Sequence, residues 1–354
     1  MSTRQNLTSA PIDIDGSFEE VNAYFYMKGW TDGLPIAPPT GERIQAMIEG
    51  SGRKGSEALA QLPISMGTAT IERIAINAVM AGCEPSYMPV VVAAVEAIAE
   101  KSFNLSSIQS TTNPATPMLV VNGPIRKALD INSATNALGP GRKANATIGR
   151  AIRLIMLNIG GGTPGDVDKS TQGWPGKYTF CFAENEEENP WEPLHAHKGF
   201  GRGESAVTAF GAHGTHNIHA GNPPTAGDLA DFLAAAMINL GVNTFVLNGG
   251  EPALLLSPDH ARLLASSGYT RQSLQEHIFQ KARAPLRQFP KNLRDIIEQR
   301  GNAIGEMAPL IKEPRLLNII VVGGAGGLFS TFVPVLGYAA VTKRISGPVA
   351  ETRE

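Results

Sequence analysis

Five of the seven histidines lie between residues 194 and 221, in LHAHKGFGRGESAVTAFGAHGTHNIHAG. His195 and His197 make a His-x-His pair, and His213, His216 and His219 repeat the His-x-x-His spacing. From either spacing two imidazoles can converge on one ion, at ligand distances of about 2.0–2.2 Å. Carboxylates stand just upstream in CFAENEEENPWEP: Glu184, Glu186, Glu187, Glu188 and Glu192. If YTFCFAE runs as a straight strand, alternation sets Glu184 and Glu186 on one face with Phe180 and Phe182, and Cys181 on the other. Two chemistries follow. His197, His213, His216 and His219 are candidate ligands of one Zn, Fe or Mn ion. Glu184, Glu186 and His195 are candidate acid–base groups, because imidazole titrates near neutral pH and can move protons without a metal. No HExxH or facial-triad pattern is present, so backbone-bonded imidazoles beside a solvated acidic face are the competing reading.

A second stretch, NSATNALGPGRKANATIGRAIRL, leads glycines into a helix start. Unpaired N–H groups and the helix dipole favour an anion there, with Arg142, Lys143 and Asn145 as candidate substrate-binding residues. An ordinary solvated Gly/Pro loop is the alternative, and the GxxxxGK[ST] loop is absent. The VVGGAGG turn at 321–327 fails the GxGxxG spacing, because Phe occupies position 329. It also lies too near the C-terminus for a following βαβ half, so no nucleotide cofactor is expected; the turn reads as a close backbone approach lining a pocket. Cys83 follows a glycine that ends a helix and Cys181 sits in an apolar strand, so both read as buried structural thiols. No GxSxG elbow marks a serine nucleophile.

The elements that must position these groups read as an α/β compound domain. TIERIAINAVMAG (70–82), TIGRAIRLIMLNIG (147–160) and DLADFLAAAMINLG (228–241) carry apolar residues at helical spacing and finish on Gly. Each reads as a helix closed by a C′ glycine, the third with Thr225 capping and Asp228 three residues on. Strands are expected at MLVVNG (118–123), YTFCFAEN (178–185), TFVLNGG (244–250) and NIIVVGGAGG (318–327). The recurrence suggests pseudo-threefold helix–strand units over residues 1–250. Residues 251–312 read as a helical insert, with Pro258 after Ser257, a Gly268 stop, Thr270 capping the next helix and a third helix after Pro290. Residues 313–354 return a strand to the core.

The totals narrow the field. Net charge is −2, with 42% hydrophobic and 18% charged residues. That composition fits a folded domain with no field to attract a polyanion, so nucleic acid is not an expected partner. No signal-like apolar start and no run of about 18 apolar residues appears, which places the chain in the cytoplasm and off the membrane. The two cysteines fit a reducing compartment. So little charge on a rather apolar chain predicts a homo-oligomer.

The motifs WTDGLPIAPPT (30–40), NAVMAGCEPSYMPVVVAAVEA (77–97), TTNPATPMLVVNGP (111–124), NALGPGRKANATIGRAIRL (136–154) and PGKYTFCFAENEEENPWEPLH (175–195) together resemble a soluble bacterial family associated with UGSC-type (seleno)proteins. Some of its members are labelled thiol-disulfide oxidoreductases. This chain has neither selenocysteine nor a Cys-x-x-Cys pair, and the resemblance carries no reaction to transfer. The architecture is also similar to that of cyanuric acid hydrolases and barbiturases, without their repeated Ser-Lys dyads in the three helix–strand units. The functional expectation is a metal-assisted or His/Glu acid–base lyase or hydrolase acting on a small polar, anionic metabolite. The alternative is a non-catalytic ligand-binding or partner subunit working with a second protein.

Overall fold

The computed structural model describes residues 7–247 and 250–348. The first sheet has the order β8-β3-β1-β2, with β1 at Thr116–Asn122, β2 at Cys181–Ala183, β3 at Ala206–Ala212 and β8 at Val341–Arg344. β2 runs parallel to β1, pairing Leu119 with Cys181; β3 lies antiparallel to β1, pairing Val120 with Thr208. The second sheet has the order β6-β5-β7-β4, with β4 at His216–His219, β5 at Ala253–Leu256, β6 at Asn318–Val321 and β7 at Phe329–Val333. There β5 and β6 are parallel, and β7 is antiparallel to both β5 and β4.

Alternation along these strands sorts their side chains into three apolar layers. Met118, Val120, Phe182 and Phe210 of the first sheet meet Leu255, Ile320 and Val333 of the second in a shared core between the sheets. Leu119, Val121, Cys181 and Val207 face the other way, onto α1 (Gly41–Ser51), α2 (Ile71–Ala81), α3 (Met88–Ala99) and α4 (Lys143–Asn158). Leu254, Leu256, Ile319 and Phe332 face α6 (Ala226–Ala236), α8 (Pro258–Ser266), α9 (Arg271–Lys281) and α10 (Lys291–Gln299). The result is a four-layer stack of helices, sheet, sheet and helices. Two further short helices, α5 (Leu194–His197) and α7 (Asn243–Leu247), complete the set used below.

Several expected helix boundaries are present. Thr70 accepts a hydrogen bond from Arg73 N–H, and Gly82 closes α2 at φ 89°. Ser257 and Thr270 cap α8 and α9, with Pro258 in the first turn of α8. Thr225 accepts from Asp228 N–H at the start of α6.

Three expectations change. Residues 243–247 of TFVLNGG are helical, not a strand; Asn248 and Gly249 lie outside the described residues. The strand beside β6 is instead Ala253–Leu256, bounded by Pro252 and Ser257, and a short apolar run cannot be told from a buried helical turn by periodicity. The third expected repeat helix ends at Ala236 with Met237 as C-cap, well short of Gly241, so its unit departs from the other two. The expected insert contributes β5 and the helices that cover the second sheet, because β5 and β6 are parallel neighbours and need a crossover. Among the described residues no helix is long and apolar enough to cross a membrane.

The carboxyl ends of the parallel strands come together. Asn185, just past β2, donates its N–H to the carbonyl of Val321 at the end of β6 (2.8 Å). In open α/β sheets that is where ligand crevices form.

Candidate functional site

At these strand ends lies a cavity of about 250 Å³. The 136–139 loop closes one side, Leu255 and Ser257 lie at the end of β5, Val322, Gly323, Gly324 and Gly327 form the glycine turn, and Phe329, Ser330 and Thr331 come from β7. The two glycine-rich stretches singled out in the sequence therefore share one wall system. Gly323 sits at φ 104°, and a Cβ on Gly324 would lie 2.1 Å from Thr135 Oγ1, so only glycine lets the turn approach that loop.

Helix α8 clamps the turn from beneath. Ser257 Oγ donates to the Gly327 carbonyl (3.1 Å) and accepts from His260 N–H (3.3 Å), while Asp259 Oδ2 accepts from Gly326 N–H (2.6 Å). His260 is buried, with Nδ1 2.8 Å from Ser330 Oγ, and its Nε2 is buried without a hydrogen-bond partner. Burial holds the His260 imidazole below its ordinary pKa, so it is neutral at pH 7. Phe329 stacks on His219 at 4.8 Å between ring centroids. Among the described residues no charged side chain lines the cavity.

Beside the cavity the structure brings Glu184, Glu186 and His195 together. Asn122, the last residue of β1, donates its Nδ2 to Glu184 Oε2 (2.6 Å) and to Glu186 Oε1 (2.9 Å). Glu184 is fully buried and also accepts from Leu194 N–H (2.7 Å) and Asn189 Nδ2 (2.8 Å). Burial pushes its carboxyl up, against the pull of Arg271 and these donors. Glu186 Oε1 takes Gly123 N–H at 2.7 Å and faces Arg126 Nε at 3.1 Å. Hydrogen bonds from Arg126 hold the Glu187 carboxyl down at about 2. His195 is fully buried with Nδ1 3.9 Å from Glu186 Oε1, and neither ring nitrogen has a hydrogen-bond partner. Asn185 ties this cluster to the cavity wall through Nδ2 to the Gly323 carbonyl (3.0 Å).

The four candidate metal ligands are dispersed. His197 pairs with Glu192 (3.0 Å). His213 lies where β3 leaves its sheet, donating its N–H to the Pro334 carbonyl. His216 and His219 are exposed on β4, opposite Phe332 and Phe329 respectively. Among the described residues no group of three or more His, Cys, Asp or Glu is placed to hold one metal ion.

The candidate anion residues also have other partners. Arg142 pairs with Asp130 (3.1 Å) and Lys143 with Glu84 (3.0 Å), both exposed. Asn145 is buried, accepting Asn132 N–H (2.8 Å) and donating to the carbonyls of Asn132 and Ala137. None of the three lines the cavity, but Asn145 fixes the loop that does. Asn122, Arg126, His260 and Ser330 were invisible as site residues. Only Ser257-Pro258 left a signal, and it read simply as a helix start.

Two outcomes follow from these burials. Burial pushes His213 down to about 4, below the ordinary imidazole value near 6.5. The unfolded chain then binds the extra proton between those values, so stability is full above about pH 6.5 and falls by up to ~3 kcal/mol toward pH 4. His260 acts in the same direction. Urea unfolding of wild type and His213→Gln across this range should show a shallower slope in the variant; equal slopes contradict the assignment. Burial also pushes Cys83 up to about 12 and raises Cys181. Ellman's reagent should therefore leave both native thiols unmodified and titrate two after unfolding, and fast native labelling of either would be the opposing result.

No family model, curated protein or solved structure matches the chain.

Proposed function

We propose that the chain is an enzyme, a hydrolase or lyase, that binds a small uncharged polar metabolite at the strand carboxyl ends and moves a proton with His260 and Ser330. The observation that carries this reading is the 2.8 Å contact between buried His260 Nδ1 and Ser330, a residue lining a cavity of about 250 Å³. A neutral imidazole in hydrogen-bond reach of a hydroxyl can accept its proton and return it to a leaving group. Asn136, Ser257 and Thr331 offer hydrogen bonds for orientation, and the uncharged polar and apolar lining among the described residues favours a neutral ligand over the expected anion. In this reading the Glu184, Glu186 and His195 cluster fixes the two strand ends from which the cavity loops depart.

A non-catalytic ligand-binding role is the second reading. It is favoured by His260 Nε2, which has no partner to orient the ring as a carboxylate orients the base in a catalytic triad. Screening purified protein against neutral amides, esters and hydroxy compounds separates the two. Turnover lost in Ser330→Ala and His260→Gln, with ligand binding retained, supports the enzyme. Saturable binding with no turnover in any form supports the second reading.

A further inference from the structure

At the amino end of β2, away from the cavity, the loop joining α4 to β2 closes over a buried group of charges. Arg153 from α4, Asp168 and Lys177 are 10%, 7% and 14% exposed. Lys177 Nζ donates to Asp168 (2.7 Å to Oδ2) and to Ser170 Oγ (2.7 Å). Ser170 also gives Asp168 Oδ1 its backbone N–H at 3.2 Å, so this carboxylate is engaged by its own loop. Arg153 is treated differently. Its contacts are Asp168 Oδ2 at 3.6 Å and the Gly162 carbonyl at 3.5 Å, both well beyond an ordinary N–H···O bond of about 2.9–3.0 Å.

Two cations therefore share one carboxylate in a place with little water, and the fork of Arg153 is barely engaged. Asp32 acts on Arg153 only through space, because its oxygens are bonded to Arg150 at 2.8 Å each. A guanidinium so placed matches a planar or tetrahedral oxyanion, which would accept two parallel N–H bonds and balance the excess charge.

We infer that Arg153, with Lys177 beside it, forms a second ligand site, distinct from the cavity, for a small oxyanion of the carboxylate or phosphate class, the Ser170 hydroxyl being committed to Asp168 Oδ1 and the Asn113 carbonyl. The cavity differs from it in that its described lining residues are uncharged. The site is tested by calorimetric titration of the full chain with inorganic phosphate, and in a separate arm with acetate, at constant ionic strength. Saturable binding is expected in at least one arm, and the tighter arm identifies the ligand class. Arg153→Gln should weaken it on the order of tenfold or more, and Arg153→Lys, which keeps the charge but loses the fork, by less. Arg142→Gln, an exposed cation already paired with Asp130, should bind as wild type. Melting curves establish that each variant is folded; should Arg153→Gln fail, Arg153→Lys carries the comparison. No saturable binding in either arm, or equal weakening in Arg142→Gln, overturns the inference.

Discussion

Glu184→Ala is expected to cost about 3–5 kcal/mol, a large fraction of the roughly 5–15 kcal/mol that keeps a domain of ordinary stability folded. Three donors converge on this fully buried carboxylate: Asn122 Nδ2, Leu194 N–H and Asn189 Nδ2. Truncation leaves Leu194 N–H without an acceptor, at roughly 1–3 kcal/mol for an orphaned buried group, and leaves Asn122 only Glu186 Oε1 and Asn189 only the Glu192 carbonyl. It also removes the negative charge that offsets Arg271, which is buried among backbone carbonyls and donates to that of Glu192. Glu184→Gln keeps the shape but turns an amide N–H₂ toward one of the donors, so it should be destabilised by a smaller amount. Denaturant unfolding of the three proteins checks the order. A cost under about 1 kcal/mol for the alanine variant would mean that this network does not hold the strand ends together.

Ser330→Ala and His260→Gln are each expected to lower turnover by roughly 10²–10⁴-fold once a substrate is in hand, the usual range for removing a general acid or base. The double variant should lose little more than either single one, because the two groups act on the same proton. The pH profile carries a sign of its own. Burial holds His260 below the ordinary imidazole value, so the basic form persists through neutrality and the rate should fall only on the acid side of about pH 6.5. A rate that declines from pH 8 downward would assign the proton to another group.

The sequence was most legible where punctuation and periodicity agree. Thr70 and Gly82, Ser257 and Pro258, and Thr270 mark helix ends that the structure places as expected, since capping chemistry is local. The face alternation of Phe180, Cys181 and Phe182 is also present, with the phenylalanines in the core between the sheets and Cys181 in the helix-covered one. Residues 243–247 and 253–256 were misassigned because both are short apolar runs, and only the pairing of β5 with β6 decides which is the strand. For the site, Glu184, Glu186 and His195 do meet, but the histidine spacings in β4 put His216 and His219 on an exposed edge strand instead of around one point. Asn122, His260 and Ser330 come from three distant segments. Asn122 meets Glu184 and His260 meets Ser330 across long stretches of chain, contacts set by strand pairing and helix packing that no local spacing encodes.

The central claim is that the cavity at the strand carboxyl ends is where this protein holds its metabolite. Gly327 offers the cleanest way to fill it, because a Cβ there meets nothing closer than the Gly324 carbonyl at 3.9 Å. Thermal stabilisation by a library of small neutral polar compounds should be measured on wild type and on Gly327→Trp. The account predicts compounds that raise the melting temperature of wild type and lose that effect in a folded Gly327→Trp. Undiminished stabilisation of the filled variant by the same compounds would contradict it and place the ligand elsewhere.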